Sequence, residues 1–196
     1  MKLMTQRILA ASAALITLAG AGFAEPVTGK VAEKQVFSPT GSEVEMLPVA
    51  GLSPESAALL QQVVGDYAYY AAAAIAPDED ILKSEATMLV ANHHSIEAAS
   101  AAALAGCDKV RQGGSPCVVA AIVRPKGWEA RALQLSVEGT VALVNDYGKK
   151  GERAMATSAQ TGFFALAQGA GAQTAAVQAC NDKGATDCAI SVSDAE

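Results

Sequence analysis

The chain has 196 residues, a formal net charge of −6 and an aromatic content of only 5%. This length allows one ordinary domain or two small ones. Its Lys and Arg residues are not clustered, and an acidic chain without such a cluster argues against nucleic acid and anionic membrane surfaces as partners.

The first 24 residues have the three parts of an export signal. Lys2 and Arg7 give a positive start, residues 8–18 are apolar, and a small-x-small cleavage site ends at Ala24. The apolar run is shorter than the roughly 20 residues that a membrane-spanning helix needs. No cysteine stands directly after the apolar run, so a lipid anchor is not expected. No later stretch is long and apolar enough to span a membrane. We therefore predict cleavage after Ala24 and a periplasmic or secreted mature protein.

Residues 25–43 are polar and predict an extended or poorly ordered lead-in. Residues 44–49 could form a strand, which Pro48 would place at a sheet edge or end early. A helix start follows at 53–55, because Ser can accept from free amides, Pro suits the first helical position, and Glu favours the positive end of the helix dipole. Leu60 and Val64 continue this segment at helical spacing.

The chain contains a tandem duplication. Residues 52–76 align without a gap with residues 135–159, and the two segments have the same residue at eight positions. After an insertion, residues 102–123 (AALAGC…CVVAAIV) are similar to residues 175–193 (AAVQAC…CAISVS). A repeat of this length decides the fold. We expect repeat 1 at 44–123, a linker at 124–130, repeat 2 at 131–193 and a tail at 194–196.

The second copy shows where the first helix ends. Residues 66–76 are rich in alanine and could extend the helix, but Gly148 and Gly151 occupy the equivalent positions of the second copy. Glycines there are typical of a helix C-cap. We therefore predict strands at 69–76 and 153–159, against the local propensity of alanine. The acidic residues 78–80 follow as a solvated turn, since they lack the alternating oxygen ligands of a calcium loop.

The remaining elements complete each copy. Strands are expected at 86–91 and 162–167, alanine-rich helices after Ser95 and at 173–179, and closing strands at 117–123 and 188–192. A short strand at 131–135 would open the second copy. Each copy then has the order β-α-β-β-α-β, a split βαβ or ferredoxin-like unit. The predicted fold is α+β, with the two helices of each copy on one face of an antiparallel sheet.

Four cysteines in an exported chain predict two disulfides, for which three connectivities are possible. Each copy contains one pair, so a duplication favours Cys107–Cys117 and Cys180–Cys188. Zinc binding is the alternative, but these separations are wider than is usual for a structural zinc site. Each bridge would contribute roughly 3 kcal/mol to small units that need such support.

The only two histidines precede the second helix of the first copy. With Glu97, His93 and His94 could form a metal site or an acid–base pair. Adjacent residues at a strand end point to opposite faces, however, so polar loop residues at a helix start are the preferred interpretation.

Trp128 lies in the linker between basic residues and could stack on a sugar ring or cover the junction between the copies. Tyr67, Tyr69 and Tyr70 have no aromatic counterparts in the second copy and are expected to pack. No catalytic residue, metal site or cofactor is predicted, because the bridges account for all cysteines. The Gly-rich segment 168–173 lacks the lysine of a phosphate loop.

Two resemblances accompany these residues. The pattern A-x-A, turn, apolar strand and A-x-x-A…C…C-x-V at 71–123 and 154–193 resembles a family of small secreted bacterial modules of unknown function. The segments VEMLPVAGL and CVVAAIVRPKGWEARALQLS resemble exported alphaproteobacterial proteins, some of which are labelled 5-aminolevulinate synthase. Such a synthase is a large pyridoxal-phosphate enzyme with a Schiff-base lysine and a phosphate cradle. This chain has less than half that length and no cradle, so we do not expect that activity.

The order of elements also resembles the sporulation-related repeat, which binds cell-wall glycan. Taken together, these features predict a non-enzymatic exported envelope protein that binds a protein, a peptide or a glycan. One alternative is a small metal-dependent or histidine-assisted enzyme centred on His93, His94 and Glu97. Another is a secreted inhibitor or stress-responsive protein that acts through an exposed loop at 78–85.

Overall fold

A computed structural model describes residues 25–195; the predicted signal peptide, its cleavage site and the last residue of the tail lie outside that range. No helix in the described range is long and apolar enough to cross a membrane. The described residues form five helices and seven strands in chain order: α1 Gly29–Gln35, β1 Ser42–Met46, α2 Pro54–Gly65, β2 Ala71–Ile75, β3 Met88–Val90, α3 Ile96–Val110, β4 Val118–Pro125, α4 Val137–Asp146, β5 Arg153–Ser158, β6 Phe164–Gln168, α5 Ala172–Asn181 and β7 Cys188–Asp194.

The predicted helix starts are confirmed. Ser53, Ser95 and Ser136 each accept a hydrogen bond, 3.1 Å long, from the backbone amide three residues later. Each side chain thereby satisfies an amide that has no partner within its helix. The helix that begins at Pro54 ends at Gly65, and β2 follows as predicted.

The first unit contains β1 to β4 in the spatial order β1-β4-β2-β3, with all neighbours antiparallel. Strands β1 and β2, which α2 connects, are therefore parallel, and β4 lies between them. Strands β3 and β4, which α3 connects, are also parallel, and β2 lies between them. Both connections are split βαβ units. A ferredoxin-like sheet has its first and third strands in the centre, whereas here the second and fourth strands hold that place.

The two helices of each unit pack on opposite faces of the sheet, so the prediction that both share one face is wrong. The odd-numbered residues of β2 contact Leu60 and Val64 of α2, and the even-numbered residues contact Ala99 and Ala103 of α3. Successive side chains of a strand point to opposite faces, and every residue of β2 is buried. A continuous apolar run such as AAAAI is the pattern of a strand covered on both sides.

The second unit contains only three strands, in the order β6-β5-β7. It too is covered on both faces: Met155 packs with Leu143 of α4, while Ala156 packs with Ala176 of α5. The strand predicted at 131–135 does not join the sheet. The segment equivalent to β1 is residues 125–129, which contain the last residue of β4 and the turn after it and therefore cannot form a first strand for the second unit.

Each sheet has a β-bulge at the same place, and the two bulges show which residues of the two units are equivalent. Ala120 is the extra residue opposite Ala73 and Ala74, and Ser191 is the extra residue opposite Met155 and Ala156. Ala73 is therefore equivalent to Met155, whereas the ungapped sequence alignment pairs it with Ala156. The second copy has one residue fewer between helix and strand. An error of one residue in the alignment would assign each side chain of the strand to the wrong face of the sheet. The alignment based on the bulges avoids this error.

The lead-in is ordered, contrary to the prediction; its first part packs against the second unit, and Phe37 and Ser38 contact Tyr69 of the first unit. Val27 forms a parallel bridge to Val192, and Ala32 of α1 is buried in the core beside α4. The amide of Gly29 donates to Asp194 Oδ2 at 2.9 Å. A Cβ atom at Gly29 would lie 2.6 Å from Tyr147 Cε1, so only glycine fits this approach.

Both predicted disulfides are confirmed, Cys107–Cys117 and Cys180–Cys188, each with 6.1 Å between the Cα atoms. Each bridge ties the end of the second helix of its unit to the start of the last strand. The residue after the first cysteine strengthens this junction in both copies. Asp108 Oδ1 accepts from the Cys117 amide at 3.0 Å, and Asn181 Oδ1 accepts from the Cys188 amide at 3.3 Å.

Candidate functional site: two equivalent grooves

Each unit has a groove at the same place, between the segment that precedes its first helix and the end of its central strand. The first groove measures about 350 Å³ and is lined by Val49, Gly51, Leu52, Ser53, Ser56, Ile75, Ala76, Pro77, Glu79, Asp80, Ile81 and Leu82. The second groove measures about 230 Å³ and is lined by Glu25, Val27, His94, Ser95, Ala132, Leu133, Gln134, Thr157, Ser158, Ala159, Ala189, Ile190 and Ser191.

The two grooves correspond wall by wall. When the cap residues Ser53 and Ser136 are superposed, Gly51 is equivalent to Gln134. When the two bulges are superposed, Ile75 is equivalent to Thr157. The duplication has therefore kept an opening at the same corner of both units. Protein interiors and junctions are otherwise tightly packed, so an opening retained in both copies marks the first place to look for a ligand.

The first groove has an acidic wall held in place by hydrogen bonds. Glu79 Oε1 accepts from the amides of Gln112 and Gly113 at 2.7 and 2.8 Å, and Asp78 Oδ2 accepts from the Ser115 amide at 2.9 Å. A hydrogen bond from the Ser84 hydroxyl lowers the pKa of Glu79, and hydrogen bonds from Ser115 lower the pKa of Asp78. The predicted solvated turn thus anchors the loop that the Cys107–Cys117 bridge closes.

The second groove is less charged. Glu25 is the only one of its lining residues with a side chain that is charged at neutral pH, because burial keeps His94 neutral. Thr157 and Ala189 lie opposite each other on β5 and β7. Gln134 Oε1 is buried and has no hydrogen-bond partner among residues 25–195. A buried carbonyl oxygen without a donor is costly, so the Gln134 side chain gains a hydrogen bond if it turns toward a ligand that brings a donor.

His94 connects the two units through the wall of the second groove. Its Nδ1 accepts from the Ser136 amide at 3.0 Å, so its Nε2 carries the proton and donates to the Phe163 carbonyl at 3.2 Å. The side chain is 6% exposed, and burial lowers its pKa to about 4. Both ring nitrogens are already bonded to the backbone of the second unit. His94 is therefore placed to hold the units together, and neither nitrogen is free for a metal ion or a substrate.

The segment around His94 fits closely against the second unit. Asn92 has a φ of 58° and its Oδ1 accepts from the Glu138 amide at 3.3 Å, which caps α4 from the other copy. A Cβ atom at Gly162 would overlap with the Asn92 carbonyl oxygen. We name the contact of residues 92–94 with Ser136, Glu138 and residues 162–163 the unit joint.

The other residues considered as a metal or acid–base site do not gather around His94. The His93 ring nitrogen Nδ1 lies 3.2 Å from the Ala91 carbonyl oxygen, and Glu97 lies in the first turn of α3. Within residues 25–195, no three His, Cys, Asp or Glu side chains are placed together to hold a metal ion.

Trp128 packs against the core of the first unit, and the guanidinium of Arg124 lies 4.6 Å from the centre of its ring. A cation over the indole face occupies the surface that would stack on a sugar. Tyr69 and Tyr70 are fully buried, as expected, and burial raises the pKa of Tyr70 to about 12; Tyr67 is 42% exposed, so its predicted packing is wrong.

Sequence reasoning identified His94 but missed Gln134 and Thr157, which line the second groove. The signal for them existed, since each occupies the position equivalent to a groove residue of the other copy. It required the alignment that only the bulges provide. Glu25 and Val27 could not be placed at all, because nothing in the polar lead-in indicates which unit it contacts.

No protein-family model, curated protein or solved structure matches this chain.

Proposed function

We propose that this chain is an exported, non-enzymatic binding protein of the bacterial envelope, and that its second groove receives part of a protein or peptide partner. The two disulfides and the lack of a membrane-spanning helix in residues 25–195 fit a periplasmic or secreted location. Bridges of this kind persist in oxidising compartments. The signal peptide remains part of the proposal.

The observation that carries the proposal is the groove itself: it recurs in both copies, and in the second copy it holds a buried oxygen without a donor. Its lining supports binding better than catalysis. His94 already uses both nitrogens, and the remaining polar groups are hydroxyls, one amide and one carboxylate. A catalytic nucleophile needs an adjacent base, and among the described residues no lining hydroxyl is hydrogen-bonded to the Glu25 carboxylate or to His94.

The groove also distinguishes among the expected ligands. A volume of about 230 Å³ holds one or two side chains and is small beside the roughly 300–1,000 Å³ of sites for larger ligands. No aromatic ring lines it for stacking on a sugar. These features favour a polypeptide partner over a glycan.

A photo-crosslinking amino acid at Ala159, an exposed residue on the rim of the second groove, tests the proposal in living cells. We expect ultraviolet light to trap a specific partner, and the matched position Ala175, which is exposed on α5, to trap none. Protease treatment of the adduct separates a protein partner from a glycan. Equal trapping at both positions, or none at either, would count against the proposed function.

A further inference from the structure

We infer that the occupant of the second groove is an uncharged, extended polypeptide segment that pairs with the outer edge of β7 and places an apolar side chain between Gln134 and Thr157. This inference rests on the proposed function and gives the chemistry of its ligand. It follows from the edges of the two sheets and from what fills the same place in the first unit.

Strand β7 is an unusual edge. Its residues 188–193 carry no charge and include Ile190 and Val192, and at seven residues β7 is the longest of the four edge strands. Strand β1, an edge of the other sheet, carries Glu43 and Glu45 instead. Charges on an edge discourage the addition of another strand, and a long uncharged edge invites it.

Part of this edge already accepts a strand from the lead-in. The Val27 amide donates to the Ser191 carbonyl at 3.1 Å, and the Ser193 amide donates to the Val27 carbonyl at 2.9 Å. The pairing stops there, because Glu25 makes no backbone hydrogen bond to β7. Among the described residues, no strand other than β5 pairs with residues 188–190.

The first unit shows what fits this position. Relative to the bulge, Ala120 is equivalent to Ser191, and its carbonyl accepts from the Leu47 amide at 2.8 Å. The chain continues from there through Pro48 to Val49, whose side chain packs into the core on the α2 face. The second unit has Val27 in the place of Leu47, although Val27 runs parallel to β7 and β1 runs antiparallel to β4, and its equivalent of Val49 is Ala132, which lacks the valine side chain. The second groove lies where that side chain would be.

The chemistry of the walls defines the segment. The groove of about 230 Å³, lined by Thr157 and Ala189, admits a side chain of the size of valine, and Gln134 Oε1 requires a donor such as a backbone amide or a hydroxyl. Glu25 is exposed to solvent, so a charged side chain between Gln134 and Thr157 would be removed from water without a buried opposite charge, which is costly. Strand addition to an open edge uses these elements together: backbone bonds give affinity, and pockets for alternate side chains give specificity.

The test uses the chain from residue 25 onward with both bridges intact, and a capped peptide of about six alternating valine and threonine residues, the length of an ordinary strand. We expect binding to shift the NMR amide signals of residues 189–191 and not those of β1. The same peptide N-methylated on the amides of one edge should bind about tenfold more weakly, the effect of losing one or two backbone hydrogen bonds. A glutamate in place of the central valine should have a similar effect.

Gln134→Leu provides the matched variant, because it keeps the size of the side chain and removes the acceptor. We expect this variant to bind the parent peptide more weakly and to leave the NMR amide signals of β1 unchanged. Equal binding of the parent and N-methylated peptides, or shifts away from residues 189–191, would overturn the strand-pairing inference. If no peptide binds while Ala159 still traps a partner, the inference fails and the proposed function stands; if Ala159 traps nothing as well, both fail.

Discussion

The first and second units have the same cap serines, the same bulge and the same bridge between the second helix and the last strand, yet they differ at their first strand. The first unit covers β4 with its own β1, whereas the second covers β7 only at Val27, borrowed from the lead-in. The difference lies where the chain must connect the copies. A duplicated segment can keep its core unchanged, but the residues between the copies cannot serve both as a linker and as a strand.

The largest expected effect tests whether the units are equivalent. Replacing Cys107 and Cys117 by alanine should cost roughly 3 kcal/mol of unfolding free energy, and replacing Cys180 and Cys188 should cost nearly as much, because the closed loops span 10 and 8 residues. Urea unfolding of both variants without reductant measures this. A large loss from one pair and none from the other would show that the units do not depend on their bridges alike.

The unit joint is the next most sensitive place. Gly162→Ala places a methyl group on the Asn92 carbonyl oxygen, a backbone atom that cannot move aside, and should cost about 2 kcal/mol. Gly114→Ala is the control, since a Cβ atom there meets nothing within 4 Å. Thermal unfolding of both variants compares them. Equal stability would mean that the copies are not held together at this contact.

His94 makes the joint sensitive to acid. Its pKa is about 4 in the folded protein and near 6.5 in the unfolded chain, so the unfolded state binds the proton first as the pH falls. The stability is complete above the unfolded pKa and should decrease by roughly 2 kcal/mol between pH 7 and pH 5. The variant His94→Gln should lose this slope and be less stable at pH 7. Unfolding curves at the two pH values provide the measurement, and an unchanged slope would contradict the assignment.

The smallest effect concerns α1, which packs against the second unit. The Tyr147 hydroxyl donates to Asp194 Oδ2 at 3.0 Å and also lies 3.2 Å from the Arg153 carbonyl, and the same Asp194 oxygen accepts from Gly29. Tyr147→Phe should cost about 1 kcal/mol. Amide hydrogen exchange should become faster in α1 and stay unchanged in the first unit. Faster exchange in both units would instead indicate a general loss of packing.

The sequence predicts most of the fold because the local signals are strong. Serine caps, glycines after the first helices and paired cysteines each act over a few residues, and the duplication provides each signal twice. The opposite placement of the helices was missed, although the run AAAAI, apolar at every position, indicates a strand covered on both sides. The lead-in helix was missed because its stability comes from Asp194 and the α4 core, which are distant in sequence.

The site was harder to predict than the fold. His94 attracted attention as a possible ligand, but its role depends on Ser136 and Phe163, which only the packing of the two copies brings near. The groove depends on the absence of a strand, and an absence leaves no motif. Its recognition required the equivalence of Ile75 with Thr157, which became clear once the bulges fixed the register.

The comparison of the grooves is tested most directly by placing one photo-crosslinking amino acid at Pro77 of the first groove or at Ala159 of the second, which are equivalent positions. Adduct yields are then compared in the same cells. Residue 159 should trap a protein partner at a several-fold higher yield than residue 77, because β1 already covers the edge of β4, whereas residues 188–190 of β7 pair only with β5 among the described residues. Equal yields, or a higher yield at residue 77, would contradict the account.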